Sequence, residues 1–184
     1  MQLIMKDMVN QMLKGKNVIK VVALILIFSC SSNHKIFQLD KENINALHSI
    51  LSNSNETIYY KTIIEDLRKS LDSQIEPYLL EFSLCDKNIN QGATKISNKE
   101  IIFLKKEFKA QSIIRIDKIN PNFKNKTTKK IERFKTARIS MPIVFRNGSM
   151  AIYYSNSTYG GGFNLLQKKD NRWKAICSNS VWIE

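Results

Sequence analysis

Ile139-Ser140-Met141-Pro142-Ile143-Val144-Phe145, then Arg146-Asn147-Gly148-Ser149, then Met150-Ala151-Ile152-Tyr153-Tyr154-Ser155 is the stretch whose reading decides the fold. Ile139 to Phe145 is an apolar run of strand length, and Met150 to Ser155 is a second. Between them stands Asn147-Gly148, a dipeptide suited to tight hairpins because both positions tolerate positive φ. Downstream, Tyr159-Gly160-Gly161-Gly162 reads as a flexible corner. Phe163 to Lys168 and Arg172 to Cys177 read as another hairpin around Asp170-Asn171, and Val181-Trp182-Ile183 closes the chain. The last third is therefore expected to be an antiparallel β-meander.

Upstream the period changes from two to that of a helix. Asp40 is placed to cap a helix over 41–52, with Ile44, Leu47, His48 and Leu51 on one face. A second amphipathic segment over 56–72 carries Tyr60, Ile63, Ile64, Leu67 and Leu71, and its β-branched first half, Thr57 to Ile64, reads equally as strand. Tyr78 to Cys85 reads as a strand and 86–96 as a loop. Ser97-Asn98-Lys99-Glu100 is a capping-box pattern that should open a helix to 110, burying Ile101, Leu104 and Phe108. Ile113 to Ile119 alternates like a strand, and Asn120-Pro121-Asn122 turns the chain. N-terminal helices followed by a C-terminal antiparallel β-meander define the expected class, α+β.

The chain has 184 residues, 43% hydrophobic and 24% charged, which excludes a disordered polymer and suits one domain with a short targeting segment. Its 29 Lys and Arg outnumber 16 Asp and Glu, for a net charge of +13. Removing residues 1–29 takes away Lys6, Lys14, Lys16, Lys20 and Asp7 and leaves +10. Such a surface favours anionic partners. A compositional bias toward Lys, Asn and Ile supplies the same excess without any partner.

The N-terminus has three zones. Lys14, Lys16 and Lys20 make a positive region. Val21 to Phe28 is an apolar run, and Ser29-Cys30-Ser31-Ser32-Asn33 is small and polar. This is the layout of a secretory signal peptide. As a helix the apolar run extends about 12 Å at 1.5 Å per residue, where a spanning helix needs about 20 residues. A start at Met12 gives the most compact signal peptide, and Met5 and Met8 are alternative starts.

The junction Ile27-Phe28-Ser29-Cys30 resembles the bacterial lipobox, although Phe28 is bulkier and Ile27 less common than the pattern prefers. The resemblance implies cleavage before Cys30, a diacylglycerol on its thiol and acylation of the new amino group. The expected organisation is then a signal peptide over 1–29, a lipidated tether over 30–38 and a single globular domain over 39–184. Two or more acyl chains anchor stably where one does not. The implied location is the bacterial cell envelope. Ser31 is unlike the acidic retention signal of inner-membrane lipoproteins, which favours the outer membrane. The C-terminal pattern from Pro142 to Ile183 also resembles that of small exported bacterial proteins of unknown function, and it implies no activity.

Lipidation of Cys30 leaves Cys85 and Cys177, both in strand-like runs, either as a disulfide or as two buried thiols. No catalytic, metal or cofactor constellation is legible. The two histidines, His34 and His48, stand apart, and no Cys or His spacing suits zinc. Gly160-Gly161-Gly162 lacks the lysine and helix opening of a phosphate loop. Glu65-Asp66, Asp72 and Glu76 lie beside Arg68 and Lys69 as ordinary surface pairs.

One stretch points to a partner. Arg115, Lys118, Lys124, Lys126, Lys129, Lys130, Arg133, Lys135 and Arg138 face only Asp117 and Glu132, with Phe123 and Phe134 interleaved. In an exported lipoprotein the natural partners are anionic lipid headgroups or acidic envelope glycans rather than nucleic acid. The first expectation is thus a non-catalytic, lipid-anchored binding or scaffolding module for an anionic envelope partner. Two alternatives stay open: an exported envelope enzyme with acids or Tyr153 and Tyr154 lining a cleft, and a cytoplasmic nucleic-acid binder. The bland reading is a solvated basic loop with Ile131 and Phe134 tucked into the core.

Overall fold

A computed structural model describes residues 39–63, 82, 84–85, 94–158 and 160–183. The expected signal peptide, Cys30, the expected tether and the expected helix beyond Ile63 lie outside the described residues. Among the described residues, no helix is long and apolar enough to cross a membrane.

The elements run α1 (Lys41–Asn53), β1 (Thr57–Tyr59), β2 (Leu84–Cys85), α2 (Asn98–Ala110), α3 (Ile116–Ile119), a 3-10 turn (Pro121–Lys126), β3 (Thr127–Thr128), β4 (Thr136–Ile139), β5 (Ile143–Phe145), β6 (Met150–Ser157), β7 (Gly160–Lys169), β8 (Arg172–Ser178) and β9 (Trp182–Ile183). The expected α+β class, with helices first and an antiparallel meander last, is overturned. The architecture is β-rich, a mixed and curled sheet forming a half-barrel with few helices. Its main path is β2-β8-β7-β6-β4-β1-β3, with β5 beside β6 and β9 beside β7. The correction comes from β1, which lies parallel to both β3 and β4, pairing Ile58 with Thr127 and with Ala137. Thr57-Ile58-Tyr59, ambiguous by local pattern, is strand because those distant partners take its backbone groups.

Among the described residues, two long helices, α1 and α2, cover opposite faces of the sheet. Ile152, Tyr154, Phe163 and Leu165 pack with Ile101, Leu104 and Phe108 of α2. Ala151, Leu166 and Trp173 pack with Ala46, Leu47 and Leu51 of α1. Alternation along β6 thus feeds two cores, as a sheet buried on both faces requires. Each helix starts where its cap dictates. The Asn43 N–H donates to Asp40 Oδ1 at 2.7 Å, and Ser97 and Glu100 close a full capping box. His48, expected on the buried face of α1, is exposed. It tilts over Phe123, with ring centroids 5.8 Å apart.

The run Ile139 to Phe145 is two strands rather than one. β4 pairs Ile139 with Ser155, and β5 pairs Ile143 with Ile152, so Met141 and Pro142 together oppose Tyr153. Pro142 has no N–H for a ladder, and a bulge is where a sheet tolerates it. Ser140 bridges the break, its hydroxyl accepting from the Tyr154 N–H at 2.9 Å. Ile113 to Ile119 is not a strand either. Ile116, Ile119 and Phe123 fall at helical spacing and all meet the α1-side core. The Gly160–Gly162 corner is strand, part of β7. A Cβ on Gly162 would lie 1.8 Å from the Asn179 carbonyl oxygen, so the glycine is required by close backbone approach. Asp170 and Asn171, with φ of 50° and 59°, form the expected two-residue hairpin turn.

Candidate functional site

β3 is the outer edge of the sheet, and the basic segment wraps around it. Asn120 opens the 3-10 turn by accepting the Asn122 N–H on its side chain at 3.0 Å. Phe123 is buried as the turn's anchor, which leaves Lys124 and Lys126 directed to solvent. The Ile116 N–H donates to the Tyr60 carbonyl at 2.8 Å, tying α3 to the end of β1. These local constraints bring Arg115, Lys118, Lys124 and Lys129 around one concavity of about 370 Å³, completed by Tyr60, Asp117, Thr127 and Thr128.

The electrostatics of this cleft are lopsided. Asp117 is the one acid lining it among the described residues, and Arg115 engages it through two hydrogen bonds of 2.6 and 3.1 Å. Those bonds hold the Asp117 carboxyl below the usual carboxylate range and raise the Arg115 guanidinium. The pair cancels itself. Lys124 and Lys129 form no ion pair among the described residues, and Lys118 adds a further positive charge beside Asp117. Arg115 and Lys61 also lie over the Tyr60 ring, 5.5 and 5.3 Å from its centroid. Lys118, Lys124 and Lys129 thus put three positive side chains around a cleft whose wall also carries Thr127 and Thr128.

The segment does not form one patch. Arg138 lies in β4 beside Asn156 and takes no part in the cleft. Lys135 pairs loosely with Glu132 at 3.8 Å. Lys126, Lys130 and Arg133 are exposed beyond the cleft rim. Tyr60, Thr127 and Thr128 belong to the cleft although sequence reading assigned them no role. Only the β-branched character of 57–64 hinted that Tyr60 sits at a strand end. Lysines at a sheet edge also discourage pairing with a second chain, and these do so whatever else they bind.

The tyrosines proposed for an enzyme cleft separate. Tyr154 is wholly buried in the α2-side core, its ring edge-on to Phe163 at 5.3 Å. Tyr153 faces the other side and lines a cavity of about 200 Å³ beneath α1, where burial pushes its hydroxyl up to about 12. A polar cleft of about 330 Å³ adjoins it, walled by Ser155, Ser157, Asn164, Ser178 and Asn179. Glu56 is the one carboxylate lining either cavity among the described residues. Two-acid hydrolysis needs a second carboxylate across the gap. Among the described residues, no group of three His, Cys, Asp or Glu side chains could hold a metal. Cys85 and Cys177 are directly opposite in the β2–β8 pair, with Cα atoms 4.1 Å apart and their sulfurs bonded. Comparison with family models, with curated proteins and with solved structures finds no match.

Proposed function

We propose that the chain is a lipid-anchored bacterial envelope protein that holds an anionic ligand in the cleft between β3 and α3. The observation that carries this reading is the convergence of Lys118, Lys124 and Lys129 on one concavity whose single acid among the described residues is already neutralised by Arg115. Ammonium groups bind phosphate and carboxylate as point charges, and the Thr128 hydroxyl, which accepts from the Lys130 N–H, has its own proton to donate. The lipobox-like Cys30 supports the envelope setting, and a surface of +10 suits anionic headgroups or acidic glycans there.

Two measurements test it. Intact mass and fractionation of the native protein beside Cys30→Ala should give a membrane-bound product beginning at Cys30 with added acyl mass, lost in the variant. An uncut soluble product would overturn the anchor. Salt elution of the full chain from immobilised heparin should fall for Lys124→Glu/Lys129→Glu, and equal elution of parent and variant would remove the cleft from the account. Competition by phosphatidylglycerol vesicles against heparin separates a lipid headgroup from a glycan carboxylate or sulfate as the source of the charge.

A further inference from the structure

Immediately after Lys129, which lines the cleft, the chain makes a loop whose composition and geometry point to a surface rather than a pocket. Lys129-Lys130-Ile131-Glu132-Arg133-Phe134-Lys135 carries four cations and one acid around two large apolar side chains. Ile131 is 61% exposed and Phe134 is 47% exposed. The expectation that both tuck into the core fails. The backbone that presents Phe134 is fixed. Phe134 has φ +65°, a left-handed conformation that a bulky residue rarely takes. Its N–H is fixed to the Thr158 hydroxyl at 3.0 Å.

The base of the loop is tied by Thr136, which is 5% exposed. Its hydroxyl accepts from the Glu132 N–H at 3.0 Å and donates to the Lys130 carbonyl at 3.4 Å. Its own N–H donates to the Glu132 carbonyl at 3.1 Å. The Arg133 guanidinium lies over the Phe134 ring, 4.9 Å from its centroid, so charge and ring are presented together. A tethered base with an apolar tip and a cationic rim fits the boundary of an anionic bilayer, where side chains enter the acyl edge and cations remain at the headgroups.

We propose that residues 129–135 are a membrane-docking loop that inserts Ile131 and Phe134 into an anionic lipid surface and thereby sets the domain's orientation on the membrane. The proposal rests on the envelope setting; Lys129 is shared with the cleft, so the loop is tested through residues 130–134 alone. The test uses the full chain carrying Phe134→Trp, reconstituted in vesicles with bromine-labelled acyl chains and compared with the parent to subtract Trp173 and Trp182. In phosphatidylglycerol vesicles the new emission should shift to the blue and be quenched. In phosphatidylcholine vesicles it should stay water-like.

Adding Ile131→Ser should weaken docking about tenfold, the scale of one apolar side chain returned to water. Lys130→Glu/Arg133→Glu should abolish the quenching. Ile102→Ser, at an apolar site on α2 that is 70% exposed, should leave it unchanged. Unchanged melting temperatures establish that these surface variants fold. Water-like emission from the Phe134→Trp chain in anionic vesicles, or equal loss with Ile102→Ser, overturns the loop assignment. Heparin binding that survives alongside such a failure leaves the cleft standing, and quenching without heparin binding does the reverse.

Discussion

The β7–β8 hairpin and the segment from Arg115 to Arg138 differ in what their polar groups do. In the hairpin, backbone pairs run from Asn164 opposite Ser178 to Lys169 opposite Arg172, interrupted by one register shift at Leu165 and Leu166. Asn179 then locks the adjoining Phe163, donating its N–H to the Phe163 carbonyl and accepting the Phe163 N–H on its side chain, both at 2.9 Å. Before it enters β4 at Thr136, the basic segment has a four-residue helix, a 3-10 turn and a two-residue strand, held by Phe123, Ile116 and a few side-chain caps. Lys124, Lys126, Lys129, Lys130 and Arg133 are exposed, and Lys118, Lys124 and Lys129 line the cleft. One region uses its hydrogen bonds to fix the sheet, and the other leaves charge available for a partner.

The largest expected effect lies in the fixed region. Reducing the Cys85–Cys177 bond, which joins residues 92 apart in sequence, should cost about 4 kcal/mol in denaturant unfolding, near the value for closing a long loop. Unchanged stability in the Cys177→Ser variant would mean that the unfolded chain does not feel the link. Next is Gly162→Ala. The added methyl meets the Asn179 backbone, so a loss of about 3 kcal/mol is expected in urea midpoints. A midpoint within error of the parent would show that the Asn179 turn yields.

A third effect joins the two kinds of behaviour. Arg146 donates to both Glu100 oxygens at 2.6 and 3.1 Å, and those bonds hold the Glu100 carboxyl at about 2, below its ordinary 4.5. A depressed folded-state value means the contribution is complete above about 4.5 and is lost as pH falls toward 2. Glu100→Gln should lower stability at pH 7 by about 1 kcal/mol after solvent screening and flatten the acid limb of the stability profile. An identical acid limb in parent and variant would detach that pair from the fold's pH dependence. The smallest effect is expected in the basic segment. Lys124→Glu/Lys129→Glu should shift stability by about 0.5 kcal/mol or less, since exposed substitutions away from caps and cores do little. A larger loss would mean that those lysines hold the edge strand together.

Sequence reading reached the features whose causes are local. The Asp40 cap, the Ser97–Glu100 capping box and the Asp170-Asn171 turn each depend on residues within a few positions, and each is present. It missed what distance decides. Nothing near Thr57-Ile58-Tyr59 announces partners at Thr127 and Ala137, and without them the sheet looks like a simple meander. Gly160-Gly161-Gly162 looks like a corner until the Asn179 backbone is seen crowding it. The basic composition of 115–138 was plain, but composition could not sort Lys118, Lys124 and Lys129 into the cleft from Arg138 in the sheet.

The most direct test is an amide NMR titration of the full chain in detergent micelles with inorganic pyrophosphate as the probe anion. Saturable shifts at Tyr60, Lys118, Lys124, Thr127, Thr128 and Lys129, with Asn164 to Ser178 silent, are the predicted result. Shifts spread evenly over all surface lysines, or centred on Ser155, Asn164 and Ser178, would contradict an anion site between β3 and α3.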